Sequence, residues 1–461
     1  MIKRRSFRVP YGKKEIEFEL PSGMSGTLVT SRPVAVLPKL DSAISKALAH
    51  PLHSAPLREL AQSARSVCIV FTDITRACPD DALVPALLRE LHSAGVKREN
   101  IALLCGVGMH RPSTFEEKTA KLGKEIVKNY LVVDHEPMNA QALVDLGVGK
   151  EGIPFTVNRR AYESDLLVAT GIVEPHQYAG YSGGGKTLAI GAGGEPLIAY
   201  THGPKMVDHP GTRLGKIEGN PFQNAVKEVA RRARLRFIIN VVQDDESRPV
   251  AVLAGDPEST FRELVSSARQ VYEVPIPRQV DVAVAGVGHP KDLNLYQATR
   301  AVSYLFFAPT PAVRDGGVFI LPAPTPEGAG QGLGEQRFLQ TMRDASDMPS
   351  LLTELRKTGY PPGAQRAFVM AKVLEKTHVI VVGSETPEIV RQLKMIPAAT
   401  MDQAFAIAKE KVGQKDLVVL VVPHALLTLP IVDASLGSPV HPSIPWSPLA
   451  PPSAGNLRVN G

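Results

Sequence analysis

Short apolar runs alternate with amphipathic stretches along most of the chain. Residues 66–72 (SVCIVFT), 101–107 (IALLCGV) and 165–173 (DLLVATGIV) are continuous apolar runs of strand length. Between the first two lies 80–97 (DDALVPALLRELHSAGVK), whose apolar positions recur at helical spacing. Apolar runs without polar alternation are buried on both faces, and their alternation with helices predicts a parallel sheet covered on two sides. The helical stretch 261–272 ends at Val274-Pro275-Ile276-Pro277, so residues 273–279 read as a linker. The rhythm then restarts at 280–287 (VDVAVAGV), 317–322 (GVFILP), 379–383 (VIVVG) and 417–422 (LVVLVV). The predicted fold class is α/β, with two α/β domains and the active site in the cleft between them. Residues 1–274 form a Rossmann-like N-terminal domain with a mainly parallel sheet, and 280–435 a smaller C-terminal α/β domain. From 436 to 461 the chain carries six prolines and almost no charge, the composition of a disordered tail or a docking arm.

Bulk composition narrows the class. A chain of 461 residues, 44% hydrophobic and 21% charged, is that of a soluble globular protein with more than one core. Cys68, Cys78 and Cys105 are an odd number without zinc-type spacing, which points to buried thiols in a reducing, cytoplasmic setting. The basic N-terminus has no apolar segment behind it, so it does not read as a signal peptide. The longest apolar stretch, 417–432, is broken by Pro423, His424 and Pro430 and predicts no membrane span. The net charge of +6 is spread among acidic residues with no basic-aromatic stripe. That argues against a nucleic-acid partner and is compatible with a site for a small anion.

Ligands in parallel sheets bind beyond the carboxyl ends of the strands. After the first predicted strand come Asp73 and Arg76; after the second, His110 within GMHRP; after the third, His176 within EPHQY. His202 and His209 follow shortly afterwards. Independent decorations have no reason to collect on consecutive strand ends, so one shared active site is expected. Two histidines can act as an acid/base pair near neutral pH, and the Arg76 fork suits a carboxylate or phosphate. Zinc is disfavoured, since neither HExxH spacing nor a cysteine cluster is present. Two bases and an anion clamp suit work on both faces of a small acid's α-carbon; racemase, lyase and dehydrogenase all remain open at this point.

Gly180 to Thr187, GYSGGGKT, fits the phosphate-cradling pattern G-x-x-x-x-G-K-[ST]. An ATP-dependent phosphotransferase acting on a small acid is therefore the alternative reading. Its context fails: the predicted strand stops well before Gly180, and Gly191, Gly193, Gly194 and Pro196 stand where a helix should continue. Gly183, Gly184 and Gly185 still imply close backbone approach beside Lys186. A phosphate-bearing ligand, or covalent attachment to that lysine, is expected there.

DITR at 73–76, GMHRP at 108–112, EPHQYAGYSGGGK at 174–186 and THG at 201–203, in this order, resemble the nickel-dependent lactate racemase family. The resemblance implies nickel held in a nickel-pincer nucleotide (pyridinium-3-thioamide-5-thiocarboxylic acid mononucleotide). It implies covalent attachment of that nucleotide to Lys186, with His202 as the protein ligand to the metal. It places the catalytic acid/base histidines at His110 and His176, and reversible hydride transfer at the substrate's α-carbon. Asp73 and Arg76 fall near cofactor and substrate, and Tyr296 and Gln297 close over them from the second domain. The implied partners are a small 2-hydroxy acid and the proteins that synthesise the cofactor and insert nickel. Two positions depart from the lactate-active pattern: Arg300 stands where a lysine is usual, and the stretch 364–374 lacks a tryptophan, Trp446 being the only one in the chain. A lactate- or malate-like acid is expected, with Arg76, Gln297 and Arg300 contacting substrate and Arg366 as a further anion holder.

Overall fold

The computed structural model describes residues 6–436 apart from residue 362; the expected Pro-rich tail beyond 436, with Trp446, lies outside the described residues. The first sheet has six strands, in the order Pro249–Gly255, Leu235–Gln243, Leu166–Ile172, Val67–Thr72, Ile101–Gly106, Leu131–Asp134. Numbered along the chain and read from the other edge, that order is 3-2-1-4-5-6, the doubly wound arrangement. Every pairing is parallel except that of Pro249–Gly255, which folds back antiparallel on its neighbour.

Burial explains the apolar runs. All six residues of Val67–Thr72 are buried. Cys68 and Val70 point to one face, with Phe222 and Val226 of the helix Pro221–Arg232. Val67, Ile69 and Phe71 point to the other, with Leu83, Leu87 and Leu91 of the helix Asp80–Ser93. Each such side chain contributes roughly 1.5–3 kcal/mol of apolar burial. The Asp80 helix is shorter than the expected 80–97, because Gly95 takes φ +85° and ends it. The strand Leu235–Gln243 was not anticipated: charged residues precede its apolar core and hide it in the tail of the preceding helix.

The second sheet is wholly parallel, in the order Ile396–Ala398, His378–Val382, Val313–Pro322, Val280–Ala285, Leu417–Val422, Met24–Leu28. Two expectations are corrected here. Residues 1–274 do not all belong to the first sheet's domain, since Met24–Leu28 pairs with Leu417–Val422 and completes the far edge. An apolar strand left unpaired on that side would expose a row of backbone groups, and the weakly patterned MSGTL segment covers them. Nor are residues 273–279 a plain linker: Glu273–Ile276 pairs in parallel with Leu429–Val432. Both strands contain proline, tolerated because this ladder has only two strands and each is an edge. No helix among the described residues is long and apolar enough to cross a membrane.

Candidate active site

A cavity of about 690 Å³ opens at the carboxyl ends of Val67–Thr72, Ile101–Gly106 and Leu166–Ile172. This is where the strand order reverses, the usual ligand position in such sheets. Asp73, Arg76, His110, His176, Gly183, Lys186 and His202 line it from below, and Tyr296, Gln297 and Tyr360 from the second domain. Sequence reasoning thus located a single cluster. Gly184, Gly185, Arg300, Arg366 and His209 are not on this wall. His209 sits exposed in a turn, its Nδ1 accepting the Gly211 N–H at 3.0 Å.

Asp73 and His110 form a tight pair. Their Oδ2 and Nδ1 atoms are 2.7 Å apart, with Asp73 buried and the histidine half-exposed. Thr75 donates its hydroxyl to the other carboxylate oxygen at 2.8 Å. Burial works to raise the Asp73 pKa. The bonds from His110 and Thr75 and the charge of Arg76 outweigh it, so the carboxyl lies below its usual range. An ionised carboxylate at Nδ1 keeps a proton there and leaves Nε2 of the neutral ring as a base. Arg76, half-buried, has no carboxylate within ion-pair distance among the described residues.

His176 is held in the opposite sense. It sits in a short hairpin, Pro175–His176 against Gly180–Tyr181, inserted between the sheet strand and the glycine run. Its Nδ1 accepts the backbone N–H of Ala179 at 3.1 Å and of Tyr178 at 3.3 Å. Nε2 is therefore the protonated nitrogen of the neutral ring. Burial, reinforced by Lys186, Arg76, His202 and Arg300, pushes its pKa well below the ordinary value.

The hairpin also decides the meaning of GYSGGGKT. The strand ends at Ile172, and Lys186–Ala189 is a single helical turn, so the strand-to-helix frame of a nucleotide-hydrolysing loop is absent here. The glycines answer mainly to packing. A Cβ on Gly184 would lie 2.9 Å from Phe261, and one on Gly185 would lie 2.7 Å from the Ala230 methyl. Gly183, at φ +90°, is the member that also reaches the cavity. Of the three glycines expected to serve a ligand, Gly183 alone lines the cavity.

Lys186 is buried, and its Nζ has no hydrogen-bond or ion-pair partner among the described residues. Burial, then Arg76, brings its pKa down to about 7. His202 caps the helix Glu195–Thr201, with Nδ1 2.9 Å from the Ile198 carbonyl oxygen. Tyr178 and Phe222 meet its ring edge to face, both at 5.3 Å. Burial pushes its pKa down to about 4. Nε2 is thus a neutral, orientationally fixed donor, the form a metal takes from imidazole.

The second domain contributes less charge to the wall than expected. Arg300 donates to Tyr304 Oη at 3.2 Å and lies 3.5 Å from Gln297 Oε1, behind the residue that meets the cavity. Arg366 is buried under the Tyr296 ring, bonded to Ser303 Oγ at 3.1 Å, and its Nε has no partner among the described residues. The wall without a tryptophan is made by Tyr360, Pro361, Gly363 and Gln365. Sequence reasoning missed Tyr360, whose hydroxyl donates to the His202 carbonyl at 2.8 Å, and Gln177, which receives Ser303 Oγ from across the cleft at 3.0 Å. Gln177 was visible in EPHQY, directly after a singled-out histidine; Tyr360 carried no signal.

Comparison with known proteins agrees with the geometry. Residues 11–215 match the lactate racemase N-terminal domain and 276–428 the lactate racemase C-terminal domain. The chain is 30% identical over 424 residues to a lactate racemase of Thermoanaerobacterium thermosaccharolyticum, spanning 91% of this chain and 98% of that one. It is 30% identical over 425 residues, with the same coverage, to a lactate racemase of Lactiplantibacillus plantarum. The structure of the T. thermosaccharolyticum apoprotein superposes with a TM-score of 0.84 at 28% identity, over 93% of this chain and 100% of that one. A protein of Thermotoga maritima shares the fold at a TM-score of 0.64 and 21% identity, over 86% and 99% of the two chains. With both domains matched in order and nearly the whole length aligned, the chain belongs to the lactate racemase family.

Proposed function

We propose that this chain interconverts the two configurations of a small 2-hydroxy acid, as a racemase or epimerase. The observation that carries the reading is the pair of oppositely tethered histidines. His110 gives its Nδ1 to a carboxylate and His176 gives its Nδ1 to backbone N–H groups, and both rings line one cavity with the unpaired Arg76. Such a pair presents a free Nε2 base on His110 and an Nε2–H hydrogen-bond donor on the neutral His176 to the same substrate.

The residues fit a nickel-pincer nucleotide. Lys186 is a buried, unpartnered amine with a pKa near neutrality, suited to a covalent link, and His202 offers a clamped neutral Nε2 suited to nickel beside soft sulfur. When bound, that group would supply a metal and an electrophilic ring able to accept the α-hydrogen of the substrate reversibly. Arg76 holds the substrate carboxylate as a planar fork, and Gln297 and Tyr296 orient it from above. His110 Nε2 removes the hydroxyl proton of one enantiomer, with Asp73 stabilising the imidazolium so formed. His176 donates its Nε2–H to the substrate oxygen from the other side. Taking the proton of the other configuration requires its second tautomer, in which Nδ1 gives up the Tyr178 and Ala179 N–H groups. Loss of the α-hydrogen leaves a planar carbon, and its return to the other face inverts the centre. Proteins that make the cofactor and insert nickel would be the chain's partners, in the cytoplasm, where its buried thiols stay reduced.

Lactate and malate are the two leading substrates; the second would need its extra carboxylate to reach Arg300, which lies behind Gln297. A chiral assay decides. Protein carrying nickel and a mass increase on Lys186 is incubated with single enantiomers of lactate, malate, longer hydroxy acids and a sugar acid, and the opposite configuration is measured. Full loading with no interconversion of any of them overturns the proposal.

A further inference from the structure

Beneath the cavity floor lies an ion pair that does not itself line the cavity and bonds to the segments that do. Asp80 is fully buried and Lys121 nearly so. Lys121 Nζ lies 2.8 Å from Asp80 Oδ2. It also donates to Thr72 Oγ1 at 3.0 Å, to the Arg76 carbonyl at 3.1 Å and to the Cys78 carbonyl at 2.7 Å. The Asp80 carboxylate receives the hydroxyls of Thr72 and Thr170. The Thr170 carbonyl accepts from Thr187 Oγ1 at 2.8 Å, one residue beyond Lys186. Lys121 itself lies in the last turn of the helix Phe115–Leu122, which follows the His110 turn. One buried pair is thereby bonded to the end of the central strand, the Asp73–Arg76 turn and the strand that leads to His176.

A buried pair of this kind is seldom retained for stability, because desolvation offsets the attraction and an apolar pair of similar size does as well. An apolar pair could not, however, donate to two inward-facing carbonyls of a turn. Without Lys121, the carbonyls of Arg76 and Cys78 would be left without this donor, and the turn would have to open toward water to recover one. Asp73 and Arg76 would move with it.

We propose that Lys121 and Asp80 are positioning residues for the Asp73–Arg76 turn, setting the carboxylate that orients His110 and the guanidinium that meets the substrate. The inference rests on the racemase reading of the cavity. Two variants of the full chain test it, Lys121→Met and the double Asp80→Asn/Lys121→Gln, which removes both charges while keeping polar groups in place. Measured beside the wild type are kcat and KM of the loaded protein, the melting temperature, and the His110 Nδ1–H proton of the unloaded protein by NMR with labelled histidine. The expected result is a fall in kcat/KM of about 100-fold, shared between a lower kcat and a higher KM, as for a misplacement of about 1 Å. The His110 ring proton shifts or broadens in the same variants. A folded variant with wild-type kcat and an unchanged His110 proton overturns the proposal, whatever its melting temperature. Should Lys121→Met fail to fold, the double variant decides. A loaded wild type that interconverts no 2-hydroxy acid refutes the racemase reading, and the His110 proton then still decides whether the pair positions the turn.

Discussion

Asp73 Oδ2 stands 2.7 Å from His110 Nδ1, and this one bond selects the ring nitrogen that faces the cavity. Asp73→Asn keeps the shape but offers an amide that can bond to either tautomer. Racemisation should fall about 10²- to 10⁴-fold, the usual range for general acid/base work. Nickel content and the mass increase on Lys186 should be unchanged, which metal analysis and mass spectrometry check.

The three histidines of the cavity should separate by phenotype. His110→Ala and His176→Ala should each suppress interconversion while retaining nickel, whereas His202→Ala should lose the metal. Metal analysis after desalting, with the chiral assay in parallel, distinguishes these. Retention of nickel by His202→Ala would remove that residue from the ligand set.

Lys186 sets a pH dependence in the unloaded chain. Its pKa is about 7 when folded against an ordinary 10.5. Between those values the unfolded state binds a proton that the folded state does not, so stability falls as pH drops from about 10.5 to about 7. Lys186→Met removes that loss. Its melting temperature should match the wild type near pH 10 and exceed it increasingly toward pH 7, a trend that thermal scans across the range test directly.

The glycine run should prove a packing device at two of its three positions. Gly185→Ala sets a methyl 2.7 Å from Ala230 Cβ, and Gly184→Ala adds a φ of +59° to a 2.9 Å clash with Phe261. Each should destabilise by roughly 1–3 kcal/mol, as overpacking does. Chemical denaturation of the unloaded protein measures this, and equal stability of Gly184→Ala and wild type would contradict it.

Arg300 and Arg366 lie one layer behind the cavity wall, and they should act on selectivity rather than on turnover. Arg300→Lys keeps the charge and gives up the bond pattern to Tyr304 and Gln297. The ratio of kcat/KM for malate over lactate should drop about tenfold if a second carboxylate reaches this layer, and stay constant if it does not.

The strands nearest the site were legible because both of their faces are buried, which leaves uninterrupted apolar runs such as VCIVFT. The residues after those runs were legible for the same reason, since a strand end fixes where the chain next meets solvent. Met24–Leu28 was not, because an edge strand with one covered flank needs little apolar patterning. The roles of Gly184 and Gly185 were hidden because the neighbours that forbid a side chain there, Phe261 and Ala230, are distant in sequence. Lys121 and Asp80 escaped notice similarly: on their own helices they read as ordinary surface charges.

The strand Met24–Leu28 and its partner Leu417–Val422 are far apart in sequence, with the whole first sheet between them. On the ribosome, the early strand must wait until Leu417–Val422 has emerged before it finds its neighbour. The six-stranded sheet bearing the histidines can close long before that. Synthesis would therefore produce a partly built molecule whose cavity floor is complete while its cover is still missing, and whose waiting strand is free to pair with another chain.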